Sequence, residues 1–120
     1  MLFTYIIKKE GQVNVITLQG DLIEAIQASK LMQEIDEIIL ENNVRFVIDM
    51  SAVKYLNSSG LTILIRILTK ARKAGGEAII SCLGKRIKEL LVITKLNTVF
   101  TVSESVEEGI SKLNKLASSN

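Results

Sequence analysis

Two adjacent hydroxyls, Ser58 and Ser59, are the side chains of this sequence best placed to do chemistry. They follow an apolar, strand-like run, Phe46-Val47-Ile48-Asp49-Met50, that turns before a long apolar helix opens at Asn57-Ser58-Ser59-Gly60-Leu61. A helix start presents unpaired backbone N–H groups and the positive end of a dipole, so it accepts negative charge. A serine on the first turn is therefore suited to carry a phosphate. The pattern alone also describes plain helix capping, which Asn and Ser commonly perform. A nucleophilic serine is the weaker reading, because no lysine adjoins it in sequence and histidine is absent. Gly75-Gly76 follows a helix rather than a strand and lacks a Gly-Lys-Ser/Thr ending, so it reads as a helix C-cap and not a phosphate loop.

Composition removes most alternatives. The 120 residues, 48% hydrophobic and 23% charged, suit one domain that buries a single core without disulfide or metal. A formal charge of +2 without charge blocks, and aromatics (Phe3, Tyr5, Phe46, Tyr55, Phe100) not interleaved with Arg or Lys, argue against nucleic acid. Without histidine, and with Cys82 alone, His-based acid–base chemistry, Ser-His-Asp or Cys-His nucleophiles and the usual zinc sites are excluded. No metal, cofactor or enzymatic activity is expected. Cys82, within Ile79-Ile80-Ser81-Cys82, reads as a small buried hydrophobe, and a lone cysteine fits a reducing compartment. The start Met1-Leu2-Phe3-Thr4-Tyr5 has no basic leader, and no apolar run reaches membrane-span length. A cytoplasmic location without direct membrane insertion is expected.

The elements that must hold the serines in place are legible in the spacing. Residues 3–9 and 13–18 alternate as strands about a Glu10-Gly11-Gln12 turn, an opening hairpin, and Gly20-Asp21-Leu22 ends the second strand. Ala28, Leu31, Met32, Ile35, Ile38 and Ile39 form one face of a helix, with Lys30, Glu34, Glu37 and Glu41 pointing away and Asn42-Asn43 closing it. Residues 44–50 make a central strand, and the serine helix ends at Gly75-Gly76 with Lys70, Arg72 and Lys73 near its negative end. A strand at 77–82, a helix over about 84–94 with Ile87, Leu90 and Leu91 inward, and a short strand at 99–102 follow. Ser105-Val106-Glu107-Glu108 is a capping box opening a last helix striped by Val106, Ile110, Leu113 and Leu116. The order predicts an α/β domain with a mixed central sheet of four to five strands and about four helices over residues 1–117, with 118–120 frayed.

Asn57 is the better N-cap. With Asn57 at the cap, Leu56 and Leu61 form a hydrophobic staple; with Ser58 there, the pair would be Asn57 and Thr62, with no apolar contact. Ser58 then takes the first helical position, reachable from solvent, and Gly60 leaves room for something to approach the backbone. Leu61, Leu64, Ile65, Leu68 and Ala71 form the core stripe, and Thr62, Arg66, Thr69, Lys70 and Lys73 a basic opposite face. Ile63 and Ile67 widen the apolar surface: they are either more core or the edge of a docking surface beside Ser58.

The stretch Asp49-Met50-Ser51-Ala52-Val53-Lys54-Tyr55-Leu56-Asn57-Ser58-Ser59-Gly60-Leu61 resembles the signature of STAS domains, specifically bacterial anti-sigma factor antagonists. Leu18-Gln19-Gly20-Asp21-Leu22 is similar to their Gly-Glu-Leu turn, and Gly75-Gly76 and residues 88–113 resemble the family's later elements in order. Asn57 stands where the family usually has Asp, and Ile23 where antagonists commonly have Asp. Losing the first carboxylate removes a repulsion on a nearby phosphate of about 1.4 kcal/mol at about 6 Å in water. The resemblance implies a STAS fold and a protein that binds an anti-sigma factor serine kinase so that a sigma factor is released. It implies phosphorylation at Ser58, with Ser59 the alternative, and a serine phosphatase to reverse it. Asp21, Asn57, Ser58, Ser59, Gly60, Thr62, Ile63, Arg66 and Ile67 are the expected partner-binding residues, on a monomer or weak dimer. The rival expectations are a non-switching STAS scaffold in a signalling or lipid-transport assembly, and a nucleotide- or small-ligand-binding STAS module.

Overall fold

The computed structural model describes residues 2–118, with residues 117 and 118 described in backbone alone. Strands β1 (Thr4–Glu10) and β2 (Val13–Leu22) form the opening hairpin, and a 3-10 turn, Ala25–Ala28, leads into α1 (Ser29–Leu40). Then come β3 (Arg45–Leu56), α2 (Ser58–Lys73), β4 (Glu77–Ser81), α3 (Lys85–Ile93), β5 (Thr101–Ser103) and α4 (Val106–Ser118). The five strands lie in chain order in one sheet: β1 is antiparallel to β2, and β2 to β5 are parallel.

Period-2 alternation divides the apolar residues between the faces of this sheet. Ile16, Leu18, Leu22, Phe46, Ile48, Met50, Ala78 and Ile80 form the main core with α1, α2 and α3. Val13, Val15, Val47 and Ile79 take the other face and are covered by Leu113 of α4. The central strand is thus buried on both sides, as a near-continuous apolar run requires.

The C-terminal ends of α1 and α2 follow local rules. Asn42 adopts φ +63° after α1, and the N–H groups of Asn42 and Asn43 return to the carbonyls of Ile39 and Ile38. After α2, Gly75 at φ +88° and Gly76 repeat the pattern onto Arg72 and Ala71. These are Schellman motifs. Ser105 Oγ accepts from Glu108 N–H at 3.1 Å, as the capping box predicts, while the Glu108 carboxylate pairs with Lys112 at 3.2 Å.

Several expectations need correction. The strand expected at 44–50 continues without a turn to Leu56, because β2 extends beside it as far as Leu22 through two register shifts. The strand expected at 99–102 is displaced to Thr101–Ser103 by a 3-10 turn at Leu96–Thr98. Glu34 does not point away: it is half-buried and accepts a hydrogen bond from the Tyr5 hydroxyl. Burial and then the Glu34 carboxylate push that hydroxyl's pKa up to about 12. Leu116, expected in the α4 stripe, is exposed. Cys82 is half-buried rather than buried; it sits at φ +61° past the end of β4, where the chain leaves the sheet, and burial raises its thiol pKa. The fraying expected at 118–120 concerns the last residue of α4 and two residues, Ser119 and Asn120, outside the described ones.

Candidate functional site at the start of the second helix

The parallel strands all end on one side of the sheet, so the chain segments after β2, β3, β4 and β5 gather there. In open parallel sheets this carboxyl end is where binding sites form. The serine corner is the segment after β3. Asn57, in extended backbone, caps α2: its Oδ1 accepts from Gly60 N–H at 3.0 Å. Its Nδ2 donates to the carbonyl of Ile23, also at 3.0 Å. One side chain thus fixes the helix start and ties down the loop after β2, work that an Asp could only half perform.

With the cap supplied by Asn57, Ser58 is left exposed at the first helical position and Ser59 half-buried at the second. Thr62 Oγ1 donates to the Ser58 carbonyl at 3.0 Å, which turns the Thr62 hydroxyl back onto its own helix. The first turn of α2 holds no acidic residue. No carboxylate of the first turn therefore offsets the positive end of the helix dipole at Ser58, a setting that accepts a dianion.

The structure gathers Asp21, Asn57, Ser58, Ser59 and Gly60 at this corner, Asp21 lying opposite Tyr55 in the β2–β3 register. Thr62 and Arg66 continue the exposed face away from it. Ile63 and Ile67 do not belong to the surface: they are 1% and 0% exposed, inside the main core. The helix packs on β3 and β4 and also against α1, so its apolar stripe is wide because it is buried on more than one side. Gly60 offers no approach to a ligand either, since a Cβ there would lie 2.3 Å from the Leu22 carbonyl and 2.4 Å from Leu56 Cδ1. The space is taken by the chain itself. The basic face is partly neutralised: Lys70 meets Asp36 at 2.7 Å, and beside it Arg72 meets Glu77 at 2.9 Å, leaving Arg66 and Lys73 exposed.

Three exposed apolar residues lie around this corner; Ile23 is marked in the sequence as a departure from the family pattern, while Ile26 and Tyr55 escaped the sequence reading. Ile23, Ile26 and Tyr55 are 39%, 76% and 60% exposed. Ile23 is held by Asn57, Ile26 lies in the 3-10 turn packed against α2, and Tyr55 ends β3 two residues before the cap. None falls on a helical or strand-period core face, and that is the signal that could have marked them. Among the described residues no group of three or more His, Cys, Asp or Glu could hold a metal, and no helix is long and apolar enough to cross a membrane.

This arrangement, a hairpin-led mixed sheet with an exposed serine opening the helix after the third strand, defines a class. The STAS domain family matches residues 5–109, and the chain belongs to that family. It is similar to BtrV of Bordetella bronchiseptica, provisionally assigned as an anti-sigma factor antagonist: 26% identical over 90 residues, 75% of this chain and 77% of BtrV. It is 38% identical over 61 residues to the anti-sigma-F factor antagonist RsfB of Mycobacterium tuberculosis, a match spanning 51% of this chain and about half (49%) of RsfB. The fold matches that of an anti-sigma factor antagonist from Mycobacterium paratuberculosis, with TM-score 0.79 and 24% identity over 93% of this chain and 94% of that one.

Proposed function

We propose that this protein is an anti-sigma factor antagonist that acts by docking and is switched at Ser58. It binds an anti-sigma factor that is also a serine kinase, and the sigma factor held by that partner is released. In the return step Ser58 Oγ attacks the γ-phosphorus of the partner's ATP; the new O–P bond replaces the bond to ADP, and the hydroxyl proton is lost. A serine phosphatase restores the hydroxyl by hydrolysis. The chain contributes an acceptor and a surface, and the catalytic groups belong to its partners. Such a cycle belongs in the cytoplasm, where ATP and sigma factors are.

The observation that carries this reading is the division of labour at the corner. Asn57 does the capping, which leaves the Ser58 hydroxyl exposed on a helix whose first turn carries no acidic residue. A phosphate there adds roughly −1.5 to −2 charge and leaves the helix intact. Beside the exposed Ile23, Ile26 and Tyr55, the same dianion would have to be desolvated in a packed interface, which breaks docking.

Incubation with its cognate serine kinase and ATP is expected to add one phosphate, mapped to the peptide containing Ser58 and absent from Ser58→Ala. An active kinase that leaves Ser58 unmodified overturns the switch. Stable co-purification with a large partner, unchanged by Ser58→Asp, would instead favour a non-switching scaffold.

A further inference from the structure

The outer edge of the sheet is formed by β1, which is hydrogen-bonded to β2 along one side only. Its α1-facing side chains, Phe3, Tyr5 and Ile7, are half-buried and line a groove of about 700 Å³ under α1. The wall of that groove carries Lys30 and then Glu34, Glu37 and Glu41, spaced four, three and four residues apart on one stripe of the helix. On the opposite face of the strand Ile6 is 52% exposed. The edge therefore combines a strand paired on one side only, apolar side chains and a wall with three carboxylates to one lysine.

We propose that this edge is a homodimer interface, in which β1 of a second copy pairs antiparallel with β1 about a two-fold axis through Ile7. In a two-fold antiparallel pair, residues directly opposite share a face, so the axis must pass through one residue and its counterpart. Ile7 is the middle of the seven-residue strand Thr4–Glu10, and only that centre pairs the whole strand. It sets Lys9 of one copy opposite Tyr5 of the other, on the α1 side, beside the Glu34 that Tyr5 already holds. It sets Lys8 opposite the exposed Ile6, and Ile7 against Ile7 in the joined grooves. No like charges are opposed. Moving the axis one residue on would place Lys8 against Lys8, and edge lysines of this kind exclude indiscriminate pairing. Full pairing of the strand selects the axis at Ile7, the charges suit that register and exclude the one centred on Lys8, and the sheet becomes ten strands. Ser58, following β3 and separated from the edge by β2, stays outside the interface.

Sedimentation equilibrium of the full chain over a rising concentration series tests this. The wild type is expected to show a monomer–dimer equilibrium. Lys9→Glu, which sets Glu against Glu34 and Glu37 twice across the axis, is expected to weaken dimerisation about tenfold or more. Adding Glu37→Lys to Lys9→Glu is expected to recover most of that loss. Amide hydrogen exchange in β1 should slow with concentration in the wild type and not in Lys9→Glu, while amides of β3 remain protected in both, which shows that the variant is folded. A wild type that stays monomeric throughout overturns the proposal, including a case in which a different protein's strand protects the β1 amides. A dimer indifferent to Lys9→Glu overturns it as well, because that dimer uses another surface.

Discussion

The two ends of α2 are built with the same device and put to different uses. At each end a glycine lets a backbone carbonyl from another segment come closer than any side chain would permit. Gly60, in the first turn, admits the Leu22 carbonyl, and Gly76, just past the last turn, admits that of Val44. The C-terminal end has nothing further: its orphan carbonyls are satisfied by the Gly75 and Gly76 N–H groups. The N-terminal end adds Asn57, which takes over the capping and leaves the Ser58 hydroxyl exposed. Close backbone packing is common to both ends and so marks no function. What sets the N-terminal end apart, and supports the role proposed for it, is a hydroxyl without a capping duty at the positive end of the helix.

The comparison can be broken most forcefully at the glycines. Gly76→Ala would place a Cβ 1.8 Å from the Val44 carbonyl oxygen and 2.5 Å from Val44 Cβ, neither of which can turn away. A loss of about 3 kcal/mol or more in urea unfolding is expected. Gly60→Ala meets one backbone oxygen at 2.3 Å and one side-chain tip, Leu56 Cδ1, that can swing aside. About 2–3 kcal/mol is expected there. If Gly60→Ala proves neutral while binding is lost, Gly60 serves an approaching partner and the two ends are not alike.

Asn57 sharpens the comparison at the next level of energy. Asn57→Ala removes the cap on Gly60 N–H and the bond to the Ile23 carbonyl, and about 1–2 kcal/mol is expected. Asn57→Asp keeps the acceptor and loses only the donor, so its cost should be about half as large. Urea midpoints of the two variants against wild type measure the difference: an Asn57→Asp without cost would mean that the tie to Ile23 carries nothing, and equal losses would mean that the cap carries nothing.

The sequence made the serine corner legible because its determinants are local. A cap, its N3 partner and the Leu56–Leu61 pair lie within six residues, and the Asn42 and Gly75 terminations are equally self-contained. What escaped was set by long-range placement. The extension of β3 to Leu56 depends on β2 running beside it through irregular register at Gly20 and Asp21, and residues 51–55 alternate too weakly to announce it. Ile63 and Ile67 were ambiguous because a helix buried on one side and a helix flanked by a neighbour differ only in stripe width. Glu34 was assigned to solvent because a helical wheel cannot show that β1 lies beneath it. Ile23 and Ile26 acquire a role only once the loop after β2 is tied to Asn57.

The smallest expected change in stability is the most discriminating. Ser58→Ala removes a hydroxyl for which the structure shows no capping duty: Gly60 N–H goes to Asn57, and Thr62 bonds the Ser58 carbonyl, which alanine retains. Thermal or urea unfolding should therefore move by less than about 0.5 kcal/mol, the range of an exposed surface substitution. Ser58→Asp should go slightly the other way, gaining about 0.3–1 kcal/mol from the helix dipole. A residue that caps would lose about 1 kcal/mol on the change to alanine instead. That result would make the two ends of α2 equivalent after all, each wholly occupied by its own fold, and would remove the physical reason for placing the switch at Ser58. A neutral Ser58→Ala that nevertheless abolishes phosphorylation separates the two roles, because only a side chain free of structural work can lose its chemistry without cost to the fold.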